Sequence, residues 1–507
     1  MRRSVFVAFL LAVIIGCTQR MERVVTAPTA AGTLDKKSPY IKVHMRDGAL
    51  YVLSPWTWSE SARTVNGTGT LFGVDRSAAK QGDFSVPIDS VALLETNVVK
   101  SSPSVVALSI MSGITASIAI YCASNPKACF GSCPTFYITD GTRDVLQAEG
   151  FSASIAPSLE ARDVDALYRA QPRGRDVHVR MMNEAYETHV VRYVNLLAAP
   201  RVPGRRVLVD ERNRYWSVTE PAPPDRCAAG EGDCRSVLAA FDEKERTSAA
   251  DSSDLASREF IDIEFASGAR SPGLVLASRQ SLLPTYLLYQ TFAYLGSHVG
   301  DWMSMLERGD SSQINRAKSA GSWLGGIDVL VPNASGGWDS VTTVRETGPL
   351  ASDVRVIPLP QQSGTTRVRL RLAKGAWRID AAQLVSIGDQ VTPLRIEPSD
   401  VFAGAKRDTA ARGKLSTGPE ALVTLPGDEY NITYHLPGDA SQYELFLDSK
   451  GYYLEWMRSE WVAEENLFGA QALFLDPAGA MKQLAPAFKR VEPTLEEAFW
   501  RSKYVKR

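Results

Sequence analysis

At 507 residues the chain is long enough for roughly two to four domains, and its 44% hydrophobic content is sufficient for a real core. The 56 Lys and Arg nearly balance the 57 Asp and Glu, so the net charge of -1 gives no long-range field to collect DNA, RNA or anionic lipid. Nucleic acid is therefore not an expected partner. The 28 Pro and 37 Gly favour many strands joined by turns over a helical bundle.

The first seventeen residues have the parts of a secretory signal. Arg2 and Arg3 provide a positive start, and Val5 to Ile15 is an apolar run shorter than the roughly 20 residues of a membrane span. Gly16 and Cys17 follow, and this ending resembles the lipobox of bacterial lipoproteins, in which the signal is cut before a cysteine that carries acyl chains. The resemblance implies a mature lipoprotein that begins at Cys17 and is held to a membrane by chains such as palmitate. An ordinary secretory signal with an incidental cysteine is the alternative.

The residues after Cys17 bear on where the protein is held. Lipoproteins of this kind commonly carry Asp after the lipidated cysteine when they stay at the inner membrane, and here that position is Thr18. The resemblance therefore implies the outer membrane rather than the inner one. Residues 18–39 are polar and lack apolar periodicity, which predicts a tether that reaches roughly 70 Å when extended.

From Tyr40 onward, apolar and polar residues alternate between turn signals such as Asp47-Gly48. This pattern predicts a small barrel or sandwich made from Ile41 to Met45, Leu50 to Leu53, Thr64 to Phe72 and Phe84 to Glu95. Val105 to Ala123 then runs without a charge at spanning length. We prefer an internal buried segment to a second membrane span, because few of its residues are the Leu or Phe that drive insertion.

Six cysteines are present, and an exported protein meets an oxidising compartment in which nearby thiols tend to pair. Sequence proximity predicts disulfides Cys129–Cys133 and Cys227–Cys234, with Cys122 left inside the apolar run. The Cys-x-Gly-x-Cys-Pro box that starts at Cys129 resembles an uncharacterised domain of exported bacterial proteins, which assigns no activity. A redox or zinc role is the alternative, but the spacing is one longer than Cys-x-x-Cys and no His lies nearby.

The segment that follows predicts a short helix, Ser158 to Arg169, and then a hairpin of Val177 to Met181 with Thr188 to Leu197. Four polar residues in the hairpin could suggest a metal site. Residues on alternating strands need not share a face, so solvated side chains are the favoured interpretation of this set: His178, Glu184, Glu187 and His189.

The clearest helix pattern is Ser281 to Arg308, with Pro284 in its first turn and Gly296 or Gly300 as a possible break. Strands return after Trp323. Val368 to Leu384 mirrors Val177 to Leu196, which suggests a divergent duplication of one sandwich unit.

Near the carboxyl end, Gly451 to Trp461 is rich in aromatic residues. We favour a helix that docks these side chains into the core over an exposed platform for a glycan or peptide. No GxSxG, P-loop, HExxH or EF-hand spacing occurs, and no catalytic, cofactor or metal residue is assigned. Acids near the aromatics could form a sugar cleft, namely Asp448, Glu455 and Glu460.

Together these observations predict an α+β fold, mainly antiparallel β, with several β-barrel or β-sandwich-like units and a long amphipathic helix near 281–308. The chain is expected to be a lipid-anchored cell-envelope protein with a binding, assembly or structural role. Its expected partners are the membrane and an envelope protein or glycan. A secreted hydrolase or thiol-dependent enzyme is the alternative. The predicted divisions are a signal at 1–17, a tether at 18–39, a small β domain at 40–100, a cysteine-containing β-rich domain at 101–245, a strand pair with the long helix at 246–325, a β-rich domain at 326–475 and helices at 476–507.

Overall fold

The computed structural model describes residues 19–101 except 27, 46–48 and 73–77; 133–299 except 186, 267 and 268; 323–455 except 346, 347, 417 and 419; and 464–501, together with 302, 311 and 315. Several predictions concern residues outside these ranges: the signal and Cys17, the apolar run Val105 to Ala123 with Cys122, Cys129, and the aromatic residues from Trp456 to Trp461.

The structure confirms the predicted fold class. Strands predominate over helices in the described part of the chain, and its sheets are mostly antiparallel. Sheet 1 has the order β1-β6-β2-β3-β4-β5 and contains β1 Gln19–Thr26, β2 Ile41–Met45, β3 Leu50–Ser59, β4 Thr64–Phe72, β5 Ala78–Pro87 and β6 Val91–Ser101. The predicted first hairpin is confirmed by the pairing of β2 with β3. The single strand expected from Phe84 to Glu95 is instead two strands, separated by the 3-10 turn Ile88–Ser90.

The predicted tether is ordered where the structure describes it. Gln19–Thr26 forms edge strand β1 and pairs antiparallel with β6, and Pro28–Thr33 forms a 3-10 helix. The tether prediction is therefore corrected for these residues. The lack of apolar periodicity in this segment did not exclude a strand. β1 lies at the edge of sheet 1 and is held by backbone hydrogen bonds along one side, which do not depend on the side-chain pattern.

The rest of the β-structure repeats one five-strand pattern four times. Repeat 1 is β7 Thr135–Thr139, β8 Asp144–Glu149, β9 Ala161–Ala166, β10 Asp176–Met182 and β11 Glu187–Pro200. After β12 Arg206–Val209 and β13 Tyr215–Val218, repeat 2 is β14 Arg226–Ala229, β15 Gly232–Asp233, β16 Arg246–Thr247, β17 Arg258–Phe265 and β18 Pro272–Gln280. Repeat 3 is β19 Ile327–Pro332, β20 Trp338–Val344, β21 Asp353–Pro358, β22 Thr366–Ala373 and β23 Trp377–Val391. After β24 Leu394–Ile396, repeat 4 is β25 Asp400–Ala403, β26 Lys406–Arg407, β27 Leu422–Thr424, β28 Glu429–His435 and β29 Tyr443–Glu455.

The same pairing rule holds in all four repeats. The first strand pairs with the second and with the fourth strand of its own repeat. Repeat 1 then combines with repeat 4, and repeat 2 with repeat 3. In each combination fourth strand pairs with fourth and fifth with fifth. Each third strand pairs with the fifth strand of the partner repeat.

These pairings build four stacked sheets with three cores. Sheet 2 (β26-β25-β28-β10-β7-β8) packs on sheet 3 (β24-β11-β29-β9, with β27 on β11), and sheet 3 packs on sheet 4 (β13-β12-β21-β18-β23-β16). Sheet 4 packs on sheet 5 (β15-β14-β17-β22-β19-β20). Sheets 3 and 4 are buried on both faces, so their strands are apolar almost continuously, whereas strands of the outer sheets alternate. In β18, for example, Leu274 and Leu276 enter one core, and Val275 and Ala277 enter the other.

Two local predictions around repeat 1 are wrong. Ser158 to Arg169 is not a helix: a 3-10 turn, Pro157–Leu159, leads into β9, whose alternate residues Val164 and Ala166 enter the core between sheets 3 and 4. β10 and β11 do not form a hairpin, because β10 lies in sheet 2 and β11 in sheet 3. The suspected duplication nevertheless gains support, since Val177 to Leu196 and Val368 to Leu384 both cover the fourth strand and much of the fifth, in repeats 1 and 3.

The helices follow the fifth strands of repeats 2 and 4, apart from α2 Thr409–Leu415 inside repeat 4. α1 Leu282–Leu295 is capped by Ser281, whose Oγ accepts from the amide of Leu283 at 3.1 Å, and it ends at Gly296, which has φ +52°. The predicted break at Gly296 is thus confirmed. After repeat 4 come α3 Leu467–Leu475 and α4 Pro477–Arg501. The sequence pattern predicts a helical pair here, Ala478 to Phe488 and Thr494 to Trp500, but α4 continues through two prolines as one helix. No helix in the described part of the chain is both long and apolar enough to cross a bilayer.

Candidate functional site

A group of buried and half-buried ionisable side chains lies where β11 begins and β29 ends. Glu187 stands directly opposite Glu455, and His189 directly opposite Tyr453, on neighbouring antiparallel strands. Directly opposite residues project from the same face of a sheet, and their Cβ atoms are roughly 5 Å apart. The fold therefore brings two carboxylates, an imidazole and a phenol together. We call Glu187, His189, Tyr453 and Glu455 the acid pair site.

Each carboxylate of the pair has a protein partner. The Nε2 of His189 lies 2.8 Å from Oε1 of Glu187, and both side chains are buried. Tyr289 of α1 donates its hydroxyl to Oε1 of Glu455. Like charges opposite one another destabilise a sheet, so these contacts offset the repulsion that two ionised glutamates would create.

Cys133 precedes β7 beside this site and is buried. Burial first, and then the nearby carboxylates of Glu149, Glu187 and Glu455, raise the pKa of the Cys133 thiol well above its ordinary value, against a hydrogen bond with Tyr453. Burial also raises the pKa of Tyr453. The thiol is therefore held protonated, which is the opposite of what a nucleophilic cysteine requires.

Glu149 is the buried acid at the end of β8. Burial raises its pKa to about 7, although the backbone N–H groups of Leu350 and Ala351 donate to it and lower the pKa in part. The Leu350 bond is 2.7 Å long. Glu149 thus joins repeat 1 to the loop before the third strand of repeat 3.

The corresponding place in the other combination of repeats carries the opposite charge. Arg279 of β18 stands directly opposite Arg378 of β23. Glu496 of α4 forms ion pairs with both guanidinium groups, and Glu245 binds Arg279 through two bonds of 2.6 Å. In each combination, a helix that follows a fifth strand delivers a partner side chain: Tyr289 of α1 donates a hydrogen bond at the acid pair site, and Glu496 of α4 forms ion pairs at the arginine pair.

The four residues considered as metal ligands are not brought together. His178 lies on sheet 2, where its Nδ1 is 3.1 Å from the Thr433 hydroxyl. Glu184 accepts from Tyr137 at 2.9 Å and from Thr135 at 3.1 Å. Only Glu187 and His189 meet. The favoured interpretation of solvated side chains is wrong for Glu184, Glu187 and His189, which are buried. Among the described residues, no three His, Cys, Asp or Glu side chains are placed to hold a metal ion.

The acids proposed for a sugar cleft are also separated. Glu455 belongs to the acid pair site, whereas Asp448 is bound by Arg162 through bonds of 2.7 and 3.1 Å. Glu460 lies outside the described residues. Tyr452 and Tyr453 are buried, as the core interpretation predicts, but they are part of strand β29 and not of a helix.

One of the two predicted disulfides is confirmed. Cys227 and Cys234 are joined with an S–S distance of 2.01 Å and a Cα–Cα distance of 5.0 Å, and they link β14 to the residue after β15. Cys133 is bonded to neither of these two described cysteines. Because Cys129 lies outside the described residues, the Cys129–Cys133 bond stays a prediction.

Sequence reasoning missed Glu149, Tyr289 and the arginine pair. Each becomes notable only through a partner far away in the sequence, so a local pattern gives no signal for it. The suspected duplication was the one feature of the sequence that pointed towards pairings between distant segments. No protein-family model matches this chain, and no curated protein matches it significantly.

Proposed function

We propose that this protein is an exported, lipid-anchored component of the bacterial cell envelope, with a binding, assembly or structural role. The observation that carries the proposal is the signal from Met1 to Cys17, with its positive start, short apolar run and lipobox-like end. The Cys227–Cys234 disulfide supports it, because such bonds persist in oxidising compartments outside the cytoplasm. Thr18 in place of Asp favours the outer membrane. The membrane is the first partner, and an envelope protein or glycan is the second.

The contacts of the acid pair site give little support to catalysis there. Glu187 and Glu455 already hold His189 and Tyr289, and Glu187 is fully buried. A thiol-dependent reaction is disfavoured because the Cys133 thiol stays protonated at neutral pH.

Fractionation of cells that express the tagged full chain tests the anchor. The wild-type protein should sediment with the outer membrane, and Cys17→Ala should lose this association because no sulfur remains for acylation. Cys122→Ala is the matched control, since it removes a cysteine outside the lipobox-like sequence. Equal membrane association of Cys17→Ala and wild type would refute the proposal.

A hydrolase is the second candidate, favoured by the direct opposition of Glu187 and Glu455. Paired acids are the catalytic groups of most glycoside hydrolases. The test incubates purified protein with isolated cell-wall glycan and measures released reducing ends. Release that is abolished in Glu455→Gln and retained in Glu420→Gln, an exposed acid elsewhere, would replace the binding proposal; absence of release is the result that we expect.

A further inference from the structure

Helix α3 has an exposed apolar face. Leu467, Phe468 and Leu475 have exposed fractions of 47%, 86% and 69%, which makes this nine-residue helix the main concentration of exposed large apolar side chains in the described part of the chain. Phe468 and Leu475 are seven residues apart, so they lie on one side of the helix, with exposed Gln471 between them. The opposite side holds the helix to the body through buried Ala470 and Leu473.

The face carries no charge of its own. The segment Leu-Phe-Gly-Ala-Gln-Ala-Leu-Phe-Leu has no ionisable residue between Asn466 and Asp476. A surface for a charged protein or a nucleic acid would need complementary charges, and none is present on this helix. Apolar burial is therefore the interaction that it can supply.

The position of α3 relates it to the amino end of the chain. β1 lies beside the 3-10 turn Gly296–His298. At that turn Gly296 has no side chain, and a Cβ there would lie 2.5 Å from the Cβ of Glu465. Asn466, the residue that caps α3, donates its backbone N–H to the carbonyl of Tyr294 at 2.9 Å. β1, the end of α1 and the start of α3 are therefore neighbours.

The strand β1 leaves little free chain after the proposed anchor. It begins at Gln19, two residues beyond Cys17, and two residues span about 7 Å. Acyl chains on Cys17 would then hold β1, with the neighbouring end of α1 and start of α3, close to the bilayer surface and not at the end of a long tether. Neutral apolar side chains in that position match the boundary between headgroups and acyl chains, where interfacial helices bury their apolar faces by roughly 5–10 Å.

We propose that α3 is a second membrane contact, in which Leu467, Phe468 and Leu475 enter the surface of the bilayer that carries the anchor. This inference rests on the proposed lipid anchor and adds the lipid surface as the ligand of a defined helix. Because α3 has no Lys or Arg, its binding should not require anionic lipid and should resist salt.

The test uses the mature chain with Cys17→Ala, exported behind an ordinary cleavable signal so that no acyl chain contributes. The probe is vesicles of phosphatidylcholine and phosphatidylethanolamine, and flotation measures binding. We expect the parent to float with the vesicles at low and high salt. Phe468→Ser/Leu475→Ser should reduce vesicle partitioning by at least about tenfold, since two large apolar side chains no longer enter the lipid.

The matched control is Val202→Ser/Leu394→Ser, which changes two apolar residues of 44% and 41% exposure elsewhere. It should bind like the parent, and equal melting temperatures should show that all variants fold. Equal flotation of parent and Phe468→Ser/Leu475→Ser, or no flotation of the parent, would overturn the inference. A parent that is dimeric without vesicles and becomes monomeric with Phe468→Ser/Leu475→Ser would also overturn it, since a second copy would then cover the face. Acylation plays no part in this measurement, so it can fail independently of the Cys17 fractionation.

Discussion

Glu149 is a buried carboxyl group that connects repeat 1 to repeat 3. Its carboxylate accepts backbone hydrogen bonds from Leu350 and Ala351, and Gly348 leaves room for it: a Cβ at Gly348 would lie 2.5 Å from Oε2 of Glu149. Asp163 also raises the pKa of Glu149, and the Cys133 thiol lowers it through a hydrogen bond. The folded protein therefore holds a proton on Glu149 more tightly than the unfolded chain does.

This shift predicts a pH-dependent stability. The pKa of Glu149 rises from 4.5 to about 7 on folding. The stability that the tighter proton binding of Glu149 contributes is therefore fully present below pH 4.5 and is lost as pH rises towards 7. The loss amounts to about 3 kcal/mol at most. Glu149→Gln cannot ionise, so we expect it to be more stable than wild type at pH 8 and close to wild type at pH 5. Urea unfolding at both pH values measures this.

The comparison between the two pH values is the decisive part of that experiment. Loss of hydrogen-bond geometry in Glu149→Gln would shift the free energy of unfolding equally at pH 5 and pH 8. A difference from wild type that is the same at both values would contradict the assigned burial effect.

At the scale of one element, the Cys227–Cys234 bond pins the hairpin β14–β15 at the edge of sheet 5. The bond closes a loop with a sequence separation of 7. In the chain-entropy model a loop of this size stabilises the folded state by about 2–3 kcal/mol. Cys227→Ala/Cys234→Ala should lower the free energy of unfolding in urea by about that amount, and reduction of the wild type should do the same. If neither treatment shifts the transition, the bond does not form in the protein.

The elements also show how far local sequence reaches. β4 was predicted residue for residue as Thr64–Phe72, because alternation and turn signals are local. The pairings of β10 with β28 and of β11 with β29 were not predicted, because β28 and β29 lie in repeat 4, more than two hundred residues away. Glu187 and Glu455 were both noted in the sequence, yet only the pairing of fifth strands brings them opposite each other.

At the scale of the whole molecule, the two halves of the repeat region are intertwined. The first half holds repeats 1 and 2 followed by α1, and the second holds repeats 3 and 4 followed by α3 and α4. Each combination takes one repeat from each half, as in a two-fold dimer whose subunits have been joined in one chain. Contacts near the centre fit this arrangement: Asp353 of repeat 3 accepts from the backbone N–H of Ala166 of repeat 1 at 3.1 Å.

This intertwining predicts that neither half folds alone as a monomer. A chain cut between residues 321 and 322 and produced as two fragments should form a stable one-to-one complex, because every pairing of a fourth strand with a fourth strand and of a fifth with a fifth joins the two fragments. Each fragment alone should be insoluble, or the backbone amides of its repeats should lack protection from hydrogen exchange; sheet 1, which pairs only within residues 19–101, is outside this prediction. A single fragment that is monomeric with protected amides in its repeats would rule out the proposed equivalence to a joined dimer.

Covalent attachment of lipid at Cys17 is the central feature of the proposed function. Mass spectrometry of the protein purified from its native membrane measures this directly. We predict an amino-terminal peptide that begins at Cys17 and carries the mass of fatty acyl chains, with residues 1–16 removed. An uncut chain, or a mature amino terminus at Cys17 without acyl groups, would contradict the proposed anchor.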